Sequence, residues 1–170
     1  RRTDCAALAG SETRRRRELR TSQGRRRHHK IRPDTEAIER LWVQVFLDAH
    51  RTAPAEVILD LDATDDPLHG RQEGRFFHGY YDGYCYLPLY IFAGEHLLCA
   101  KLRRANLDGA AGAREELERI VAQIRERWPQ VKIILRADSG FCREELMSWC
   151  EQNAVDYVFG LARNSRLVRA

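Results

Sequence analysis

Val57-Ile-Leu-Asp60-Leu-Asp62-Ala-Thr64 and Val131-Lys-Ile-Ile-Leu-Arg-Ala-Asp138-Ser-Gly140 decide the fold of this chain. Each is an apolar, β-branched run that ends in a carboxylate. A strand that climbs out of a core and stops at an Asp sets that Asp at the rim of a sheet. Two such strands side by side bring two carboxylates together. Like charges at that range repel, so the pair calls for a proton or a metal between them. Oxygen donors on rigid strand ends suit Mg²⁺ or Mn²⁺. Such a pair points to metal-assisted phosphoryl transfer, and so to chemistry on nucleic acid.

The elements around these two runs follow from periodicity. Asp34 caps a helix, with Glu36 in its first turn, and Ile38, Leu41, Trp42, Val45, Phe46 and Ala49 recur along it as an amphipathic stripe that reads as core packing. Arg51 to Glu56 is a linker. Val57 to Leu61 is almost continuously apolar, as for a strand buried on both faces. Thr64 to Asp82, rich in Gly, Asp and His, reads as a loop. Tyr84 to Phe92 and His96 to Leu102 read as a hairpin about Ala93-Gly94-Glu95. Leu117, Ile120, Val121 and Ile124 share one helix face, with Trp128 at its end and Pro129 as its stop. The second carboxylate-bearing strand, Val131 to Leu135, comes next. A helix over Arg143 to Gln152 turns Leu146, Met147 and Cys150 inward, and a last strand covers Asp156 to Leu161. The class is α/β: a mixed five-stranded sheet with flanking helices. The first three strands are antiparallel and the helix-linked ones parallel. This element order is that of an RNase H-like fold, in which strand one lies beside strand four.

Charge divides the chain. Residues 1–32 carry 12 Lys and Arg against three acids, a net +9, while the other 138 residues carry 17 against 22, a net −5. The blocks Arg14, Arg15, Arg16, Arg17 and Arg25, Arg26, Arg27, with Lys30, read as a basic, disordered DNA-binding arm. The domain plan is the arm at 1–32, a helix and linker at 33–55, and a partial catalytic domain at 56–170. No apolar run approaches the ~18 residues of a membrane span, and no secretory leader pattern opens the sequence. The five cysteines include no Cys-x-x-Cys pair, and read as reduced, mostly buried thiols of a cytoplasmic protein.

Several stretches resemble bacterial insertion-sequence transposases of the DDE class. They are Leu59 to Tyr81, Tyr84 to Ala100, Ile134 to Leu146 and Asp156 to Arg163, within about residues 30–170. The resemblance implies an RNase H-like core in which three acids hold two divalent ions, Mg²⁺ or Mn²⁺. It implies DNA cleavage at transposon ends, strand transfer into a target, a homo-oligomer on that DNA, and a nucleoid-associated location. Neither a membrane nor a small-molecule substrate is expected. Asp62, in Asp-Ala-Thr, matches the first catalytic and metal-binding Asp; Asp138, in Asp-Ser-Gly, matches the second. Asp60, two residues before Asp62 and on the same strand face, is the alternative first Asp.

The family's third acid is a Glu in a Tyr-x-x-Arg-x-x-x-Glu helix, and that motif is absent from these 170 residues. The chain therefore reads as the N-terminal part of such a core, truncated before the final catalytic helix and with little or no turnover alone. The competing reading is a non-catalytic remnant that at most binds DNA without specificity. A third is another RNase H-like nuclease, such as a resolvase. Other constellations are weaker. His69, His78 and His96 have no zinc spacing. Ser139 lacks a triad partner. Arg71, Arg75, Phe76, Phe77, Tyr80 and Tyr81 admit base stacking with phosphate contact, or plain packing on the sheet edge.

Overall fold

The apolar run at Val57 becomes strand β1 (Glu56–Ala63), whose Val57, Leu59 and Leu61 are buried while Ile58, Asp60 and Asp62 take the other face. The computed structural model describes residues 33–165, 168 and 169. The basic arm at 1–32 lies outside the described residues. From Asp34 onward the chain forms one compact unit.

Five strands build the main sheet. Beside β1 these are β5 (Leu89–Ala93), β6 (His96–Lys101), β7 (Lys132–Ala137) and β8 (Asp156–Phe159), in the order β6-β5-β1-β7-β8. β5 runs antiparallel to both β1 and β6, and β7 runs parallel to both β1 and β8. The hairpin thus supplies one flank and the helix-linked strands the other, and strand one lies beside the second carboxylate-bearing strand. This is the expected mixed sheet of an RNase H-like fold.

Helices α1 (Thr35–Ala49), α2 (Ala113–Arg127) and α3 (Glu144–Gln152) complete the fold. α2 buries Leu117, Ile120, Val121 and Ile124, and ends where the Trp128 N–H bonds to the Ile124 carbonyl. α3 buries Leu146, Trp149 and Cys150, with Met147 half-buried. The buried side chains of α2 and α3 join Val57, Leu59, Leu61, Leu89, Ile91, Ile133 and Leu135 in one core.

The structure departs from the sequence reading in four places. α1 is capped as expected, with the Asp34 carboxylate accepting from the Ala37 N–H at 3.0 Å. It buries Val43, Phe46 and Leu47, however, and leaves Ile38, Leu41, Trp42 and Val45 exposed. The helix carries apolar residues on more than one side. Its orientation is set by tertiary bonds: Arg119 donates to the Glu39 carbonyl and Gln123 to the Arg40 carbonyl. Second, the sheet is buried on one face among the described residues. Ile58, Tyr90, Phe92 and Ile134, on the other face, are only half-buried. Third, the run from Tyr84 to Phe92 is two strands, since Pro88 has no N–H to continue a ladder. β4 (Gly83–Tyr86) leaves the main sheet for a ribbon with β2 (Asp66–Pro67) and β3 (Phe76–His78), in the order β2-β4-β3. The expected loop from Thr64 to Asp82 holds two of these three strands. Fourth, β8 stops at Phe159.

Candidate active site

The parallel register of β1 and β7 runs from Glu56 opposite Lys132 to Leu61 opposite Ala137. One step further along both strands, Asp62 comes opposite Asp138. Neighbouring strands lie about 4.8 Å apart, so the two carboxylates share the same edge of the sheet. Both residues are exposed.

Local bonds fix Asp138. It caps the 3₁₀ turn Ser139–Phe141, with Oδ1 accepting from the Gly140 N–H at 2.8 Å. Among the described residues none donates to its Oδ2. Behind it, Gly160 donates its N–H to the Ala137 carbonyl at 2.9 Å. A Cβ on Gly160 would stand 2.9 Å from the Ser139 nitrogen and 3.2 Å from the Asp138 carbonyl carbon. The bare glycine lets the end of β8 close against the backbone that carries Asp138.

Asp60 has a different environment. Arg136, opposite it in register, clasps it through Nε to Oδ1 at 2.5 Å and Nη2 to Oδ2 at 2.8 Å. Both of its oxygens are thus engaged by a guanidinium fork. Asp62, opposite Tyr90 in the ladder with β5, has no salt bridge or side-chain hydrogen bond among the described residues.

Tyr81 belongs to the same locality, which the sequence did not reveal. Its hydroxyl donates to the Ala63 carbonyl at 3.5 Å, one residue past Asp62. Burial pushes its phenol above the ordinary tyrosine value, and the charges of Asp65, Asp62 and Asp138, with the neighbouring Tyr80, push it the same way. Tyr81 therefore feels three carboxylates at once. The aromatic run at Phe76 admits stacking or packing but does not say where it lies; it is the fold of the ribbon that returns the chain to the end of β1.

Arg103 is the second residue the sequence left unread. It is 7 % exposed, and it donates to the carbonyls of Leu87 at 2.9 Å, Gly109 at 3.1 Å and Ala111 at 2.5 Å. Burial pulls its pKa below the arginine norm. It gathers the break between β4 and β5 and the loop at 106–112, whose Gly109 packs beside Ala63. Next to it Arg143 donates to Asp108 at 2.9 Å, and that bond, with one from the Ala110 N–H, holds the Asp108 carboxyl below its usual range.

The other candidates disperse. Glu145 pairs with Arg114 at 3.0 Å, and Glu144 accepts from the Ser148 hydroxyl. His96 packs on Phe46 and His50, while His78 sits against Tyr81 with ring centroids 4.9 Å apart. Arg14 to Arg17, Arg25 to Arg27 and Lys30 lie outside the described residues. Among the described residues no three His, Cys, Asp or Glu side chains form a ready metal cage. The donor set of Asp62 and Asp138, exposed carboxylate oxygens on rigid strand ends, nevertheless fits hard divalent ions.

The family model described as transposase DDE domain, group 1, matches residues 1–170. Among solved structures, the catalytic domain of Mos1 mariner transposase is 10% identical with a TM-score of 0.44, covering 81% of this chain and 64% of that one. The Mos1 mariner paired-end complex with Mn is 12% identical with a TM-score of 0.42, covering 79% of this chain and 45% of that one. The piggyBac transposase synaptic complex with hairpin DNA is 16% identical with a TM-score of 0.42, covering 68% of this chain and 25% of that one. The chain thus spans less than two thirds of the length of these structures. No curated protein matches. With the family model matching from end to end, the chain belongs to the transposase DDE domain family, group 1.

Proposed function

We propose that Asp62 and Asp138 are the first two metal-holding carboxylates of a centre for DNA strand cleavage and strand transfer in transposition. One observation carries this reading: each of the two stands one residue past the last register pair of β1 and β7, without a cationic partner among the described residues, whereas Asp60 is neutralised by Arg136. Bound Mg²⁺ or Mn²⁺ would supply activation of a water or 3′-hydroxyl and charge stabilisation at the leaving oxygen. The chain's own part is to hold charge in place. Strand ends fix Asp62 and Asp138, the Gly140 N–H orients Asp138, and Tyr81 and the Arg103-held loop flank the end of β1. Neither Asp serves as a proton carrier. The substrates are transposon-end and target DNA, engaged by a homo-oligomer, with residues 1–32 as the basic arm, 33–55 as helix and linker and 56–170 as the catalytic part. The family's third acid is not among the 170 residues, so this chain alone binds ions weakly and turns over little or no DNA.

Calorimetry or Mn²⁺ relaxation on the purified chain tests the assignment without needing turnover. Asp62→Asn and Asp138→Asn are each expected to remove Mn²⁺ binding, and Asp60→Asn to leave most of it. In a longer product carrying the third acid, the same two variants abolish cleavage while DNA binding persists. Binding lost with Asp60→Asn but kept with Asp62→Asn would move the site one step down the strand.

A further inference from the structure

The ribbon β2-β4-β3 has two unlike faces. On the inner one, Cys85 joins Leu87 and Ala105 in a small core, with Phe76, Tyr81 and Ala63 packed against it. On the outer one, Phe77 stands directly opposite Tyr84, and their rings meet edge to face at 5.7 Å. Phe77 is 53% exposed, Tyr84 49% and Tyr80 85%. Rings that only packed the sheet edge would be buried, whereas these three keep about half or more of their surface in solvent. The exposed aromatics lead back to the carboxylates: the Tyr80 ring lies 5.0 Å from that of Tyr81, whose hydroxyl bonds at Ala63.

Cations accompany these rings. The Arg75 guanidinium lies 4.4 Å over the Tyr84 ring, and that of Arg104 lies 6.0 Å over Phe76 on the inner face. Arg71, Arg75 and Arg104 have no ion pair among the described residues. Asp66, the acid within the ribbon's strands, is on β2, at the edge away from Phe77. Arg75 donates to the Gly70 carbonyl, and flat, sequence-tolerant π surfaces combined with guanidinium groups that no carboxylate neutralises suit a polyanion that carries planar groups. Duplex DNA keeps its base faces stacked inside, so the fitting form is unpaired.

We propose that the exposed rings of this ribbon, Phe77 and Tyr84 on its outer face and Tyr80 in the turn between β3 and β4, with Arg75 as phosphate contact, form a platform for unpaired bases of the DNA strand held at the Asp62–Asp138 edge. This rests on the DNA-processing reading above and adds to it a place and a preferred form of the substrate. The platform would hold the bases next to the reacting phosphate out of the duplex.

The test uses the full chain in chelator, so that no metal chemistry intervenes. The probe is a single-stranded oligonucleotide bearing 2-aminopurine, beside an abasic strand of equal length. Wild type is expected to quench 2-aminopurine emission on binding. Tyr80→Ala and the double variant Phe77→Ala/Tyr84→Ala should each lose the quenching and bind the base-bearing strand roughly 5- to 150-fold more weakly, the worth of one stacked base. Their binding of the abasic strand should stay at wild-type level. Tyr80→Phe and Tyr84→Phe should keep the quenching. Tyr80 touches little besides Tyr81, so its truncation leaves the fold intact, which a thermal melt checks. No quenching by wild type, quenching unchanged in the alanine variants, or equal weakening on both strands would overturn the proposal. So would self-association that the double variant abolishes, which would assign the rings to a protein contact. Mn²⁺ binding by the wild-type chain, read by relaxation in a separate sample, is the separating measurement: no ion binding with quenching kept would sink the metal reading alone, and ion binding with no quenching would sink the platform alone.

Discussion

At the scale of single residues, the position of one carboxylate depends on a missing side chain. Gly160 lies against Ser139 and Asp138 so closely that a methyl group would stand 2.9 Å from a backbone nitrogen. Backbone cannot swing aside as the tip of a long side chain can. Gly160→Ala must therefore push β8 and the Asp138 turn apart. The expected cost is roughly 1–3 kcal/mol, the usual range for an overpacked site. The more telling result is on ion binding: the variant should lose Mn²⁺ affinity in the manner of Asp138→Asn while keeping the circular dichroism of the folded chain. Val158→Ala, on the same strand but at an exposed position, is expected to change neither. Wild-type ion binding in Gly160→Ala would show that the turn relaxes without moving Asp138.

At the scale of elements, a buried carboxylate couples α2 to its neighbours. Glu116 on α2 is 5% exposed; it accepts from Lys101 on β6 at 2.7 Å and from Arg119 at 3.2 and 3.1 Å. Arg119 in turn reaches the Glu39 carbonyl of α1 at 2.9 Å. Burial alone would push the Glu116 carboxyl up, but Lys101 and Arg119 outweigh it and hold the group below the usual glutamate range. The bond to Glu116 raises Lys101. A lowered carboxyl contributes stability above its ordinary pKa and loses it as pH falls through the folded-state value. A raised ammonium contributes below its ordinary value and loses it as pH rises past the folded-state one. Glu116→Gln should thus flatten both limbs of the stability–pH curve. At neutral pH it should cost roughly 1–3 kcal/mol, with Lys101 contributing the lesser part because it is half in water. A denaturant titration series across pH measures this, and limbs as steep as wild type would refute it. The same elements show what sequence can carry. β1, β7 and α2 were legible because each combines a strong period with a clear boundary, and the side-by-side placement of β1 and β7 followed from the element order. The buried side of α1 was not, because a helix apolar on several sides lets tertiary bonds choose. Nor was the ribbon, whose strands are two to four residues long and set by pairing across the chain. Arg103, and the place of Tyr81 beside the carboxylates, escaped for that reason: their partners are carbonyls and carboxylates brought close only by the fold.

At the scale of the whole molecule, the charges are arranged so that two kinds of DNA contact can be told apart. Residues 1–32 carry +9 and the remaining 138 carry −5. An acidic body repels a duplex, so sequence-blind affinity must come from the basic segment and from the counterions it displaces. If that segment neutralises as many phosphates as its net charge, the slope of log K against log salt approaches about −8. A chain beginning at Asp34, which starts the compact unit, is expected to lose that slope and nearly all duplex binding. Stacking on Phe77, Tyr80 and Tyr84 releases few counterions. What the shortened chain retains should therefore favour unpaired bases over duplex and depend only weakly on salt. Fluorescence anisotropy over a salt series, on duplex and single strand, separates the two contributions. An unchanged slope after removal of residues 1–32 would mean that the body has its own phosphate-binding surface and that the basic segment is not the anchor.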